Sequence, residues 1–111
     1  MPEDDATRRF ERALADLDQR YFLLRLYVVG ASPASQRAVV NLRAILTTEL
    51  TGRYALEVID VYQDPSRGAS EQIVAAPTLV RELPLPVRKL VGDMSDRDRV
   101  LLGLDILPEL P

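Results

Sequence analysis

The stretch Phe22-Leu23-Leu24-Arg25-Leu26-Tyr27-Val28-Val29-Gly30-Ala31-Ser32-Pro33 decides the fold. Its first eight residues form a nearly continuous apolar and β-branched run, the composition of a strand buried on both faces in a parallel or mixed sheet. Gly30 ends the run. Ser32 then supplies an N-cap with Pro33 at the first helical position, and Val39, Leu42, Leu46 and Leu50 recur at helical spacing until Gly52 offers a C-cap. Tyr54-Ala55-Leu56-Glu57-Val58-Ile59-Asp60-Val61 returns to strand composition and completes a βαβ unit, whose crossover is expected to be right-handed.

Downstream, Asp64-Pro65 repeats the cap-plus-proline signal and predicts a weak helix to about Val74, with Gly68 and Ser70 counting against it. Thr78 to Leu83 reads as a strand and Leu83-Pro84-Leu85-Pro86 as a turn, with Val87 to Val91 as the antiparallel partner. Proline cannot donate to a ladder, so the turn falls where the prolines are. After Gly92-Asp93, Ser95 is the expected N-cap of a last helix from about Asp96 to Leu104. From Phe22 the order is βαβαββα, an α/β class.

Upstream, Phe10, Ala13, Leu14, Leu17 and Tyr21 lie at helical spacing among Arg, Glu and Asp, so residues 1–21 read as an amphipathic helical extension that Asp4 or Asp5 can cap. So short a helix is marginal alone in water, and it is expected to pack on the domain or on a second copy. The domain proper is 22–107, and 108–111 form a short tail.

The 111 residues are 47% apolar and 28% charged, the size and composition of one globular domain. With 14 basic and 17 acidic residues the net charge is −3, and neither the segment before Phe22 nor the rest is basic. This argues against nucleic-acid or anionic-membrane binding. The longest apolar runs fall far short of the ~20 residues that span a bilayer. The acidic Glu3-Asp4-Asp5 is unlike a signal peptide, so a cytoplasmic location is expected.

There is no Cys and no His, which removes thiol nucleophiles, redox pairs, imidazole bases and ordinary zinc sites. No phosphate-cradling glycine pattern is present. Asp93, Asp96 and Asp98 cluster with Arg97 and Arg99 at a helix start, where alternating signs read as a capped, solvated end rather than a metal site. No enzymatic activity and no cofactor are expected.

The βαβαββα order, with a helix directly after the first strand and Ala76-Pro77-Thr78 entering the third, resembles the thioredoxin fold. Thioredoxins place Cys-x-x-Cys at the N-terminus of that first helix, where the helix dipole and free N–H groups stabilise a thiolate. Here the place holds Ser32-Pro33-Ala34-Ser35, a degenerate motif without disulfide chemistry. With no imidazole to deprotonate it, Ser32 reads as a cap rather than a nucleophile. Pro77 stands where the thioredoxin fold carries a cis proline.

The resemblance then becomes specific. Leu26-Tyr27-Val28-Val29-Gly30, Tyr54 to Val61, Ala76-Pro77-Thr78-Leu79, Leu83-Pro84-Leu85-Pro86-Val87-Arg88, Gly92-Asp93-Met94-Ser95 and Val100-Leu101-Leu102-Gly103-Leu104-Asp105 resemble the KaiB family in order and spacing, over about Phe22 to Ile106. The resemblance implies a non-enzymatic regulator of a clock or stress-response timing system that binds the N-terminal ATPase ring of a KaiC-type hexamer. It also implies self-association as a dimer or tetramer, competition with a sensor kinase carrying a related domain, and exchange with a ground-state fold whose C-terminal half is rearranged. A single-fold thioredoxin-like sensory or dimerisation module is the rival reading.

Asp64, Arg67, Glu71 and Gln72 are the candidate KaiC-type contacts, in a polar, weakly helical segment. Pro77, Gly103 and Asp105 are the candidate fold-switch determinants. Gly103 costs a helix about 1 kcal/mol relative to Ala, and Asp105 near the helix end opposes its dipole. Gly103→Ala with Asp105→Arg is therefore expected to populate the thioredoxin-like state. Glu57 departs from the family pattern, where cyanobacterial members carry a basic residue on a surface used toward KaiA, so that contact is not carried over. Arg25 and Arg37 keep basic character at matching positions.

Overall fold

A computed structural model of the chain describes residues 6–10, 21–70 and 76–106. From Phe22 it contains β1 (Phe22–Val28), α1 (Pro33–Glu49), β2 (Tyr54–Asp60), α2 (Pro65–Ser70), β3 (Thr78–Leu83), β4 (Arg88–Val91) and α3 (Arg97–Gly103). The order is the one read from the sequence. The four strands form one mixed sheet in the order β2-β1-β3-β4. β1 runs parallel to β2 in unbroken register from Phe22↔Tyr54 to Val28↔Asp60. It is antiparallel to β3, with an irregularity between Leu23 and Leu24, and β3 is antiparallel to β4.

The central place of β1 explains its composition. Leu24, Leu26 and Val28 enter the main core with Leu42, Ile45 and Leu46 of α1, Leu79 of β3, and Val100, Leu101 and Leu104 at α3. Tyr27 and Val29 face the other way, into a smaller cluster with Ile59, Val61 and Val80. Each fully buried Leu or Val contributes about 1.5–3 kcal/mol of transfer free energy. A strand feeding two cores has no polar face to spare, and its one charged residue, Arg25, lies toward the end where the smaller cluster stops.

Local chemistry sets the helix ends. Ser32 caps α1 with Pro33 at its start, as expected, and the last turn closes at Leu50, with Gly52 at φ +71 in the turn beyond. The cap of α3 is Asp96, one residue later than the expected Ser95. Asp96 has extended backbone and its carboxylate accepts from Arg99 N at 3.1 Å. The adjacent Ser95 N–H instead donates to Asp93.

The expected α2 extended to Val74; its described part is Pro65–Ser70, and 71–75 lie outside the described residues. Gly68 has a packing role there. A Cβ at this position would stand 2.7 Å from Val61 Cγ1, so the glycine lets α2 approach the sheet closely.

Residues 6–10 are helical, with Phe10 exposed, and Tyr21 is exposed before β1. The rest of the expected amphipathic extension, 1–5 with its expected caps Asp4 and Asp5 and 11–20, lies outside the described residues, as do 107 and the tail, 108–111. Among the described residues the cis X-Pro bonds are Leu83–Pro84 and Leu85–Pro86. Pro77 is buried, and its carbonyl accepts from Gly92 N at 2.9 Å, joining the start of β3 to the end of β4. No helix among the described residues is long and apolar enough to cross a membrane.

Candidate partner-binding surface

The turn where thioredoxins hold two thiols is closed by hydroxyls. Ser35 Oγ is buried and accepts from Val29 N at 2.9 Å and from the Ser32 hydroxyl at 2.8 Å, while Ser35 N donates to Ser32 Oγ at 3.2 Å. The Ser35 hydroxyl leans toward Val29 O at 3.5 Å. These contacts satisfy the end of β1 and the start of α1 together, which gives both serines of Ser32-Pro33-Ala34-Ser35 a structural role.

The face of the sheet opposite α1 divides in two. One half holds the apolar cluster that α2 approaches. The other holds a row of alternating charges: Glu82 of β3, Arg25 of β1, Glu57 of β2 and Arg67 of α2. Arg25 reaches Glu57 at 3.1 Å and Glu82 at 3.2 Å. Arg67 grips Glu57 with both terminal nitrogens, at 3.0 and 2.9 Å. Hydrogen bonds from Arg67 and then Arg25 hold the Glu57 carboxyl down to about 2. Glu57, read from sequence as a departure from the family pattern, thus links α2 to the sheet through an exposed ion pair.

The expected contact residues separate. Asp64, half-buried at the start of α2, accepts from the Ser66 hydroxyl at 3.0 Å. Arg67 faces back onto Glu57 rather than outward. Glu71 and Gln72 lie outside the described residues. Exposed Tyr62 borders the same end, its ring over Gly30, where a Cβ would stand 2.9 Å away. Arg37 pairs with Asp93 at 3.0 Å, and the Asp93 carboxyl is held low by Ser95 and then Arg37. Arg97 pairs with Glu49. Among the described residues no group of three or more His, Cys, Asp or Glu side chains is placed to hold a metal.

The residue that sequence reasoning missed is Arg81, on the core side of β3 and only 1% exposed. Alternation was the available signal, since Arg81 shares a strand face with Leu79. Its Nη1 donates to Leu104 O at 2.6 Å and to the Asp105 carboxylate at 3.0 Å, and its Nη2 to Pro86 O at 2.7 Å. Arg88 reaches the same Asp105 oxygen at 3.3 Å. Asp105, at φ +60 just past α3, is therefore not simply a charge opposing the helix dipole, because two guanidinium groups balance it. Replacing it relieves the dipole term but also removes two ion pairs. Gly103 ends α3 tightly against β4, with Leu90 Cδ2 3.3 Å from where a Cβ would stand.

Residues 25–106 match the KaiB domain family. The chain belongs to the KaiB family. The circadian clock oscillator protein KaiB of Synechococcus sp. strain RCC307 is 52% identical over 91 residues, covering 82% of this chain and 83% of the relative. That of Acaryochloris marina is also 52% identical over 91 residues, covering 82% and 88%. Among solved structures, the N-terminal domain of Synechococcus elongatus SasA superposes with a TM-score of 0.57 at 29% identity, covering 78% of this chain and 80% of that one. Mitochondrial thioredoxin 3 of Saccharomyces cerevisiae gives 0.63 at 14% identity, covering 88% and 90%, a likeness of fold alone. The match to the family model begins within β1, so the whole N-terminal extension, 1–21, precedes it, and it ends just beyond Asp105.

Proposed function

We propose that this KaiB family member is a non-enzymatic regulator that binds the N-terminal ATPase ring of a KaiC-type hexamer, through a slow change of fold, and so times a clock or stress-response system. The observation that carries the reading is the identity of about half the residues to circadian clock oscillator proteins across more than four fifths of this chain. The hydroxyl-closed turn supports it, because the position that gives thioredoxins their chemistry is structural here. In this reading Asp64, Arg67, Glu71 and Gln72 belong to the contact segment. Arg67, held by Glu57, orients α2 more than it touches the partner. Pro77, Gly103 and Asp105 set the balance between the thioredoxin-like arrangement and a self-associating ground state with a rearranged C-terminal half. A sensor kinase with a related domain competes for the same ring.

The likeness to the SasA N-terminal domain favours a second reading, a thioredoxin-like sensory or dimerisation module with a single fold. One experiment separates the two. The full chain is mixed in ATP with the KaiC-type ATPase from the same genome, and complex formation is followed over time by size exclusion with light scattering. Binding over minutes to hours, with a rate that stops rising at high ATPase concentration, is the expected result and indicates a conformational gate. Fast, concentration-proportional binding removes the fold change from the proposal. No binding shifts the function to the sensory module.

A further inference from the structure

Among the described residues Arg81 is the one charged side chain of the fully buried large ones, and its place on the sheet gives it two jobs at once. It lies opposite Leu24 on one side and Arg88 on the other, on the face that α1 and α3 cover. From there Nη2 holds the carbonyl of Pro86 in the turn between β3 and β4, and Nη1 holds the carbonyl of Leu104 and the carboxylate of Asp105 at the end of α3. Its Nε has no partner among the described residues. A buried guanidinium with an unpaired N–H is not what packing alone would select, since an apolar side chain of similar volume often serves stability as well.

The elements it joins are short. β4 has four residues at the sheet edge, and α3 has seven, too few to persist without tertiary contacts. Their apolar hold on the body comes from Leu90, Met94, Val100, Leu101, Leu104 and Ile106, and Asp93 and Arg97 add polar contacts to Arg37, Asn41 and Glu49 of α1, so Arg81 is the tie that joins the β3–β4 turn to the α3 end.

We infer that Arg81 is the latch of the C-terminal unit: its guanidinium ties the β3–β4 turn and the α3 end to the sheet, so that 84–106 open together when it is lost while β1, β2 and α1 stay folded. This conformational device stands independently of the partner assignment, because its test requires no partner. Local opening of a cooperative segment appears in amide exchange as faster exchange confined to that segment.

The experiment is residue-resolved hydrogen exchange on the full chain and on Arg81→Lys. Lysine keeps the charge but replaces a planar fork by a single ammonium, which cannot hold acceptors in two directions with the same geometry. The amides of Val100, Leu104 and Ile106, bonded within the unit, and of Gly92, which ties the unit to Pro77 O, are expected to exchange at least about tenfold faster, with those of Leu24 and Leu26 in β1 unchanged. Asp105→Asn, which removes one charge and leaves the carbonyl contacts, is expected to give the same pattern at smaller amplitude, and it carries the test if the lysine variant does not fold. Equal acceleration in β1 overturns the latch in favour of a general stability role. No acceleration overturns it as well.

Discussion

The two halves of the sheet are built by different means. From Phe22 to Asp60 an in-register parallel pair and a helix of 17 residues share a core in which Leu24, Leu26, Leu42 and Leu46 are completely buried. From Thr78 to Asp105 the strands are shorter, the helix has 7 residues, two non-glycine residues adopt positive φ, and the central contact is a guanidinium holding carbonyls. The first half is specified redundantly by apolar periodicity, so no single contact defines it. The second adds to the buried Leu79, Met94, Val100, Leu101 and Leu104 a few polar ties centred on Arg81. The largest effect should therefore come from the first half's core. Leu46→Ala is expected to cost about 2–5 kcal/mol in urea unfolding, from lost transfer energy and the cavity left between α1 and β1. A loss below about 1 kcal/mol would show that the apparently rigid half collapses around the gap.

A sharper comparison uses one substitution at two glycines. Gly68→Ala places a Cβ 2.7 Å from Val61 Cγ1 and 2.8 Å from Val61 Cβ, against a β-branched side chain with little rotamer freedom. The overpacking should cost about 1–3 kcal/mol, outweighing the helix-propensity gain of about 1 kcal/mol. Gly103→Ala meets only the flexible tip of Leu90, so the gain should prevail and the variant should match or exceed the parent by up to about 1 kcal/mol. Both values come from urea midpoints, with far-ultraviolet circular dichroism reporting the helices. Equal effects at the two sites would mean that α2 can lift off Val61, and that its position is not fixed by close approach.

What the sequence made legible follows the same division. The β1-turn-α1-β2 unit was read in full because every signal there is local: an apolar run, a serine before a proline, leucines at helical spacing. The order of β3, β4 and α3 was also legible, and so was the family, since its motifs lie in register along the chain. Arg81 was not, because a charged residue in a strand reads as facing solvent unless its acceptors are known, and those lie 5, 23 and 24 residues away. The packing role of Gly68 was not legible, because Val61 approaches it only in three dimensions. The choice of Asp96 over Ser95 as cap turns on backbone angles that two adjacent cap-competent residues do not encode. For the candidate surface, Arg67 was named but its partner was not. The face that Glu57 occupies follows from strand alternation, while the return of α2 over that face does not.

The charge row is where the two halves meet, since Glu82 belongs to β3 while Arg25 and Glu57 belong to β1 and β2. Its effect should be the smallest, because exposed ion pairs contribute little and are screened by salt. It should still carry a distinct pH signature. Glu57 is held at about 2 against an ordinary value of 4.5, so the carboxylate is favoured in the folded chain. A group whose folded value is depressed contributes stability that is fully present above its unfolded value and is lost as pH falls through the folded one. The urea-midpoint difference between the parent and Glu57→Gln should therefore be constant above pH 5, close between about 4.5 and about 2, and shrink at high salt at neutral pH. Arg67→Gln, which removes the larger of the two causes, should move the closure upward in pH toward the ordinary carboxylate range. A midpoint difference that ignores pH across this window would show that neither arginine holds the carboxylate, and that α2 rests on Val61 alone.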